Sequence, residues 1–213
     1  MVTRDIITIS RQVGSGGEEI AVKVCKILGF AYFDKSLMIS VAKSLGVSEE
    51  NIADFSEDDY RVKSLVDRIL RRKGLVPTSF IRKGDELIRK ALDEQDRVAV
   101  VQKVINSLAT EGKTVIVGRG GQAILKDKVG VLHVRIVAPL DVRVGRIMKE
   151  GALSQGDALK LIEDNDKATA EYLQRFYKID WEDSTIYDMV LNTRKMDLDM
   201  VARLIASVAE KMW

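Results

Sequence analysis

The stretch with the clearest chemical content is Ile7-Thr8-Ile9-Ser10-Arg11-Gln12-Val13-Gly14-Ser15-Gly16-Gly17-Glu18-Glu19-Ile20. A short β-branched run leads into a glycine turn, and apolar residues at helical spacing (Ile20, Val24, Ile27, Leu28) follow. Such a turn aims main-chain N–H groups and the positive end of a helix at one point, which is an anion site. Gly14, Ser15, Gly16 and Gly17 are the residues that would cradle a phosphate there. Two stricter motifs fail. A dinucleotide fingerprint needs glycine at position 19, where Glu19 stands, and a Walker A loop needs Gly-Lys-Ser/Thr where Gly16-Gly17-Glu18 stands. Taken alone, the turn fits either phosphate binding or a plain structural turn.

Other candidates lie downstream. Asp34 ends a second short strand pattern, Phe30–Phe33, where it could meet a ligand or cap a helix beginning near Ser36. Arg119 sits between Gly118 and Gly120, either as an anion ligand or as a surface loop residue. Arg143 and Arg146 are three apart and share a helix face, open to a ligand or to solvent. Planar guanidiniums bind phosphate in a fork. Lys167 and Arg175 are further cationic candidates. Tyr172, Phe176, Tyr177 and Trp181 cluster in sequence and suit packing better than base stacking. The basic run Arg68–Lys73 suits a helix C-terminus. His133, inside a strand pattern, and Cys25, on an apolar stripe, read as structural.

The elements that must position these residues alternate. Strand patterns at 6–9, 30–33, 114–117, 131–137 and 189–191 alternate with helical ones at 142–150, 155–176 and from 198 onward. Asp141 is expected to help start the first of these three helices. From 36 to about 110 the pattern is helical, with stripes at 62–70 and 87–108 and a break at Leu75–Thr78; an inserted subdomain, and a dimer surface on it, are expected. Short apolar strands alternating with helices predict an α/β fold, a parallel sheet covered by helices.

Composition bounds the rest. At 213 residues one domain is expected. Lys plus Arg is 34 and Asp plus Glu is 32, a net charge of +2, which gives no electrostatic case for nucleic-acid binding. One Cys and one His exclude an internal disulfide and a multi-Cys or His-rich zinc site. No apolar run approaches the ~18 residues of a membrane span, and the N-terminus lacks a leader pattern. A cytoplasmic protein is expected.

The ordered set of segments resembles the cytidylate kinase-like family, a branch of the P-loop nucleoside monophosphate kinases. The residues that carry the resemblance are Ile9-Ser10-Arg11-Gln12-Val13-Gly14-Ser15-Gly16-Gly17, Phe33-Asp34-Lys35, Gly118-Arg119-Gly120, Asp141-Val142-Arg143-Val144-Gly145-Arg146, Asp166-Lys167, and Tyr187-Asp188 with Leu191-Asn192-Thr193. The resemblance implies a P-loop NTPase-type sheet, a helical acceptor-binding insert at about 36–110 and a lid at about 143–180. It implies transfer of the γ-phosphoryl of ATP, with Mg²⁺, to a nucleoside monophosphate, CMP or dCMP first. By the same resemblance Gly14 to Gly17 hold the donor phosphates, Asp34 the acceptor nucleoside and Arg119 the acceptor phosphate. Arg143 and Arg146 begin the lid, and Asp166 matches its Arg-Asp segment, with Asn165 in place of the Arg.

The loop departs from the family pattern at three positions. Gly17 takes the lysine position and Glu19 that of the Ser/Thr on Mg²⁺, while Arg11 takes the first glycine position. Arg11 is therefore expected to supply the lost positive charge, and Glu19 to ligate Mg²⁺. The departure keeps two other functions open: a nucleotide- or phosphate-binding regulator without transfer, and a kinase for a non-nucleotide acceptor.

Overall fold

The computed structural model describes residues 5–34, 36–38 and 94–213. The chain divides into two compact units, Met1–Tyr32 with Ala109–Trp213, and Phe33–Leu108. The helical stripes expected at 62–70 and 87–92, the break at 75–78, the basic run 68–73 and the dimer surface expected on that stretch lie outside the described residues.

The described strands are β1 (Ile6–Arg11), β2 (Ala31–Phe33), β3 (Thr114–Val117), β4 (Val131–Val137) and β5 (Met189–Asn192). They form one sheet in the order β2-β3-β1-β4-β5, with β1 at its centre. β1 runs parallel to β3 (Ile7 opposite Val115) and to β4 (Ile7 opposite Leu132), and β4 runs parallel to β5. Parallel neighbours need crossovers, and helices supply them. The described helices are α1 (Gly17–Leu28), α2 (Glu94–Glu111), α3 (Gly121–Ile124), α4 (Leu140–Gly151), α5 (Gln155–Tyr177) and α6 (Leu198–Met212).

One face of the sheet is apolar in period two. Ile7 and Ile9 of β1 and Leu132, Val134 and Ile136 of β4 pack with Ile20, Val24 and Cys25 of α1 and Val201, Ala202 and Ile205 of α6. Each fully buried Ile, Leu or Val there is worth ~1.5–3 kcal/mol over exposure. The other face is not the apolar surface the strand patterns predict. It carries Thr8, Ser10, His133 and Arg135, all buried. Polar groups survive there because they are paired: Thr8 Oγ1 lies 2.7 Å from His133 Nδ1, and Trp181 Nε1 donates to Ser10 Oγ at 2.8 Å.

The helix ends follow local chemistry. Gly29 stops α1 at φ 68°, a left-handed conformation that costs glycine little. Ser154 caps α5 by accepting from Asp157 N, and Asp197 caps α6 by accepting from Met200 N. Asp141 is not the cap of α4: that helix begins one residue earlier, with Pro139 at the cap position, and Asp141 lies inside the first turn. There its charge favours the helix dipole without a capping bond. In the second unit residues 36–38 are helical, and Asp34 Oδ1 accepts from Leu37 N at 3.1 Å, a helix-capping bond. Val104, Ile105 and Leu108 of α2 are buried, following the expected stripe.

Candidate active site

The turn between β1 and α1 is held open from behind. Gly14 and Gly16 take φ of 76° and 84°. A side chain at either would collide: a Cβ on Gly14 would lie 2.9 Å from the Arg143 carbonyl oxygen, and one on Gly16 would lie 2.8 Å from Leu198 Cδ2. Three side chains take hold of the turn's carbonyls. Arg143 Nη1 reaches Val13 O at 3.3 Å. Arg146 Nη1 reaches Gly14 O at 3.3 Å and Ser15 O at 2.9 Å. Thr193 Oγ1 donates to Ser15 O at 2.7 Å. A trans peptide points its C=O and the following N–H in opposite directions. Pulling back the carbonyls of Val13 and Ser15 therefore turns the N–H groups of Gly14 and Gly16 the other way. The first amides of α1, which have no carbonyl a turn behind them, add to that set. The result is a ring of donors at the positive end of a helix.

Arg143 and Arg146, which share a helix face as their spacing implied, both turn to the loop's main chain. Arg143 is buried and ion-paired to Asp166 Oδ2 at 2.6 Å. Arg146 also donates to Thr193 Oγ1 and O, both at 2.9 Å. Arg143 reaches the loop and Asp166 through Nη1 alone, whereas Arg146 uses both Nη1 and Nη2 on the loop and Thr193. Asp166, on α5, takes part as well: its Oδ1 accepts from Val13 N at 3.2 Å. The helix expected to form the lid is thereby tied to the phosphate loop through one carboxylate.

The two glutamates also find partners. Glu18 Oε1 pairs with Arg11 Nε at 2.7 Å. Glu19, the expected Mg²⁺ ligand, has its Oε1 3.3 Å from Lys23 Nζ, and Lys23 in turn holds Asp199 of α6 at 2.7 Å. The carboxylate is drawn along α1 toward the start of α6. No group of three or more His, Cys, Asp or Glu side chains among the described residues is arranged to hold a metal ion.

A second glycine turn follows β3. Gly118, Arg119 and Gly120 all take left-handed φ, at 68°, 58° and 70°. For Arg119 that conformation is uncommon, and such strain gathers at ligand sites. Gly118 N donates to Ile9 O at 3.0 Å, fastening this turn to β1 beside the first one. The ring of Tyr177 lies against Gly120, 2.8 Å from where a Cβ would stand.

Sequence reasoning missed Arg135. It is buried on β4 with its guanidinium over the Trp181 ring at 4.8 Å and the Tyr187 ring at 5.6 Å. It donates to the Trp181 carbonyl and pairs with Glu182. The signal was present: His133 and Arg135 are two apart in a strand, hence on one face. Thr193 was noticed only as part of a segment. His133 and Cys25 are buried, as their settings suggested. Burial pushes the His133 pKa down and the Cys25 thiol up to about 12.

A model described as the cytidylate kinase-like family matches residues 6–195. The chain belongs to that family. Among its relatives is a cytidylate kinase of Methanocaldococcus jannaschii, 25% identical over 83% of this chain and 99% of that protein. A crystal structure of an uncharacterized protein from Eubacterium ventriosum is similar with TM-score 0.66 at 22% identity, covering 97% of this chain and 99% of that one. A shikimate kinase from Acinetobacter baumannii in complex with shikimate is similar with TM-score 0.50 at 13% identity, over 98% and 94%. The five-stranded sheet, its order and these likenesses make this cytidylate kinase-like protein a P-loop NTPase-type α/β fold. No described helix is long and apolar enough to cross a membrane.

Proposed function

We propose that this cytidylate kinase-like protein transfers the γ-phosphoryl group of MgATP to a nucleoside monophosphate, with CMP or dCMP as lead acceptor. The observation that carries the reading is the glycine loop itself. Its Val13, Gly14 and Ser15 carbonyls are held back by Arg143, Arg146 and Thr193, which leaves amides at the start of α1 for phosphate oxygens. Family membership and the name of the Methanocaldococcus relative point the reading toward a pyrimidine nucleotide acceptor.

Phosphoryl transfer asks the protein for in-line positioning and for neutralisation of the negative charge on the transferring group, and for little covalent chemistry. In this reading Gly14, Ser15, Gly16 and Gly17 bind the donor phosphates. Arg119 binds the acceptor phosphate and Asp34 the acceptor nucleoside. Mg²⁺ arrives with ATP as part of the substrate, keeping mostly water and phosphate oxygens as ligands. The segment 143–180 serves as a lid that excludes water.

The test is a phosphotransfer assay with ATP, Mg²⁺ and each of CMP, dCMP, UMP, AMP and GMP, with products separated by chromatography. The expected result is a nucleoside diphosphate from CMP or dCMP, lost in Arg119→Ala. A second reading, a nucleotide-binding regulator, is favoured by Glu18 and Glu19 beside the loop and by the absent lysine. ATP binding without product from any of these acceptors would favour it or a kinase for a non-nucleotide acceptor.

A further inference from the structure

We propose that Arg11 is the loop's phosphate-binding cation, and that its side chain and any side chain at position 17 exclude one another. This rests on the reading that the loop binds the donor phosphates. Arg11 is the last residue of β1, and its stem crosses directly behind the start of α1. A Cβ on Gly17 would fall on Arg11 Cβ and lie 2.7 Å from Arg11 Cγ. The position of Cβ is fixed by the backbone, so no rotamer of Arg11 can swing it clear. A lysine at position 17 must place its Cβ in that space. The absence of the lysine and the presence of the arginine are one steric event.

The guanidinium is delivered between the two glycine turns. Its Nη1 lies 3.0 Å from where a Cβ on Gly118 would stand. Its Nε is held by Glu18 Oε1 at 2.7 Å. With Nε taken, the Nη edge is the part left to meet a ligand. Other cations around the loop are committed: Arg143 to Asp166 and Val13, Arg146 to Gly14, Ser15 and Thr193, and Lys23 to Asp199 and Glu19. Arg11 differs from these three in its bond pattern, since it pairs with an exposed carboxylate, Glu18. Such an exposed pair is weak, so it orients the guanidinium without neutralising it against a polyphosphate. A charge placed between the two turns is well situated for the phosphoryl group in transit, where negative charge must be balanced.

The experiment measures binding of ATP and of adenosine by calorimetry, with melting temperatures and turnover, on the full chain. The proteins are wild type, Arg11→Gly, Arg11→Gln, Gly17→Lys and the double variant R11G/G17K. Charge-assisted hydrogen bonds to phosphate predict a loss of roughly 10- to 100-fold in ATP affinity for Arg11→Gly and Arg11→Gln. Adenosine affinity is expected to be unchanged. Gly17→Lys alone should lower the melting temperature. In the Arg11→Gly background the same lysine should fit and recover ATP affinity about tenfold. Arg11→Gln keeps most of the stem, so it reads the charge even if Arg11→Gly folds poorly. An ATP-to-adenosine affinity ratio within twofold of wild type in a folded Arg11→Gln protein overturns the proposal. So does a folded double variant that recovers nothing. Wild type that binds ATP no better than adenosine overturns both this proposal and the loop reading. Wild type that binds ATP but transfers no phosphate overturns the reaction alone, because the binding comparison still reads Arg11.

Discussion

Thr193 and Arg146 hold the same oxygen: the Ser15 carbonyl accepts from Thr193 Oγ1 at 2.7 Å and from Arg146 Nη1 at 2.9 Å. One donor comes from the turn after β5 and the other from α4, so two elements far apart in sequence set the orientation of one peptide in the phosphate loop. Thr193→Val keeps the shape and removes one donor. The expected cost is about 1 kcal/mol of stability, with weaker ATP binding as the Gly16 amide loses its fixed direction. Urea denaturation and nucleotide titration check both; unchanged ATP affinity would show that Arg146 alone orients the peptide.

Asp166 joins α5 to the loop through Val13 N and Arg143. The Arg143–Asp166 pair is largely buried, with side-chain exposures of 9% and 18%. Removing one partner strands the other charge. Asp166→Ala should cost roughly 3 kcal/mol, while Asp166→Asn, which keeps an acceptor, should cost less. Equal stability of the two variants would mean that charge rather than hydrogen bonding carries the link.

Gly120 is needed twice over, for its φ of 70° and for the Tyr177 ring 2.8 Å from a would-be Cβ. Gly120→Ala should lose about 1–3 kcal/mol. Tyr177→Ala in the same chain should return the steric part and leave the backbone part. A strictly additive loss in the double variant, measured by denaturation, would contradict this division.

His133 titrates below its ordinary 6.5 in the folded protein because burial penalises its charged form, against the opposing pull of Asp188. The unfolded chain therefore binds a proton first as pH falls, so this residue's contribution is intact above pH about 6.5 and is lost on acidification until the folded form also protonates. Stability measured from pH 7.5 down to 5 should fall, and His133→Gln should remove part of that slope. A slope that survives the substitution would assign it to other groups.

Cys25 has its thiol pKa pushed up to about 12 by burial. A thiol reagent at pH 8 should label the native protein very slowly and the urea-unfolded protein at once. Fast native labelling would show that α1 opens locally, since the residue is buried against the sheet.

Much of the fold was legible in the chain, and the reason is period. Thr114–Val117 and Val131–Val137 are bounded strands where the apolar runs place them, and Gly29 ends α1 as a left-handed glycine should. These are local properties, encoded within a few residues. The start of α4 was misread because a proline at the cap position and an Asp two residues later give competing local signals. The second face of β1 and β4 was misread because Thr, Ser and Arg were counted within apolar runs instead of being assigned to alternate sides.

The site divides the same way. The sequence by itself determined that a glycine turn joins a β-branched strand to a helix, that no lysine stands in it, and that Arg119 lies in a second glycine turn. It could not determine what Arg143, Arg146 and Thr193 are for, since each bonds main-chain oxygens across separations of 130, 131 and 178 residues. Those oxygens are the same in every residue type, so no residue pattern announces them. Nor could it show that Arg11 and position 17 compete for one volume. Side-chain type and spacing are written along the chain, but which carbonyl a guanidinium reaches, and which space a stem fills, is decided only when β1, α1, α4 and the turn after β5 are packed together.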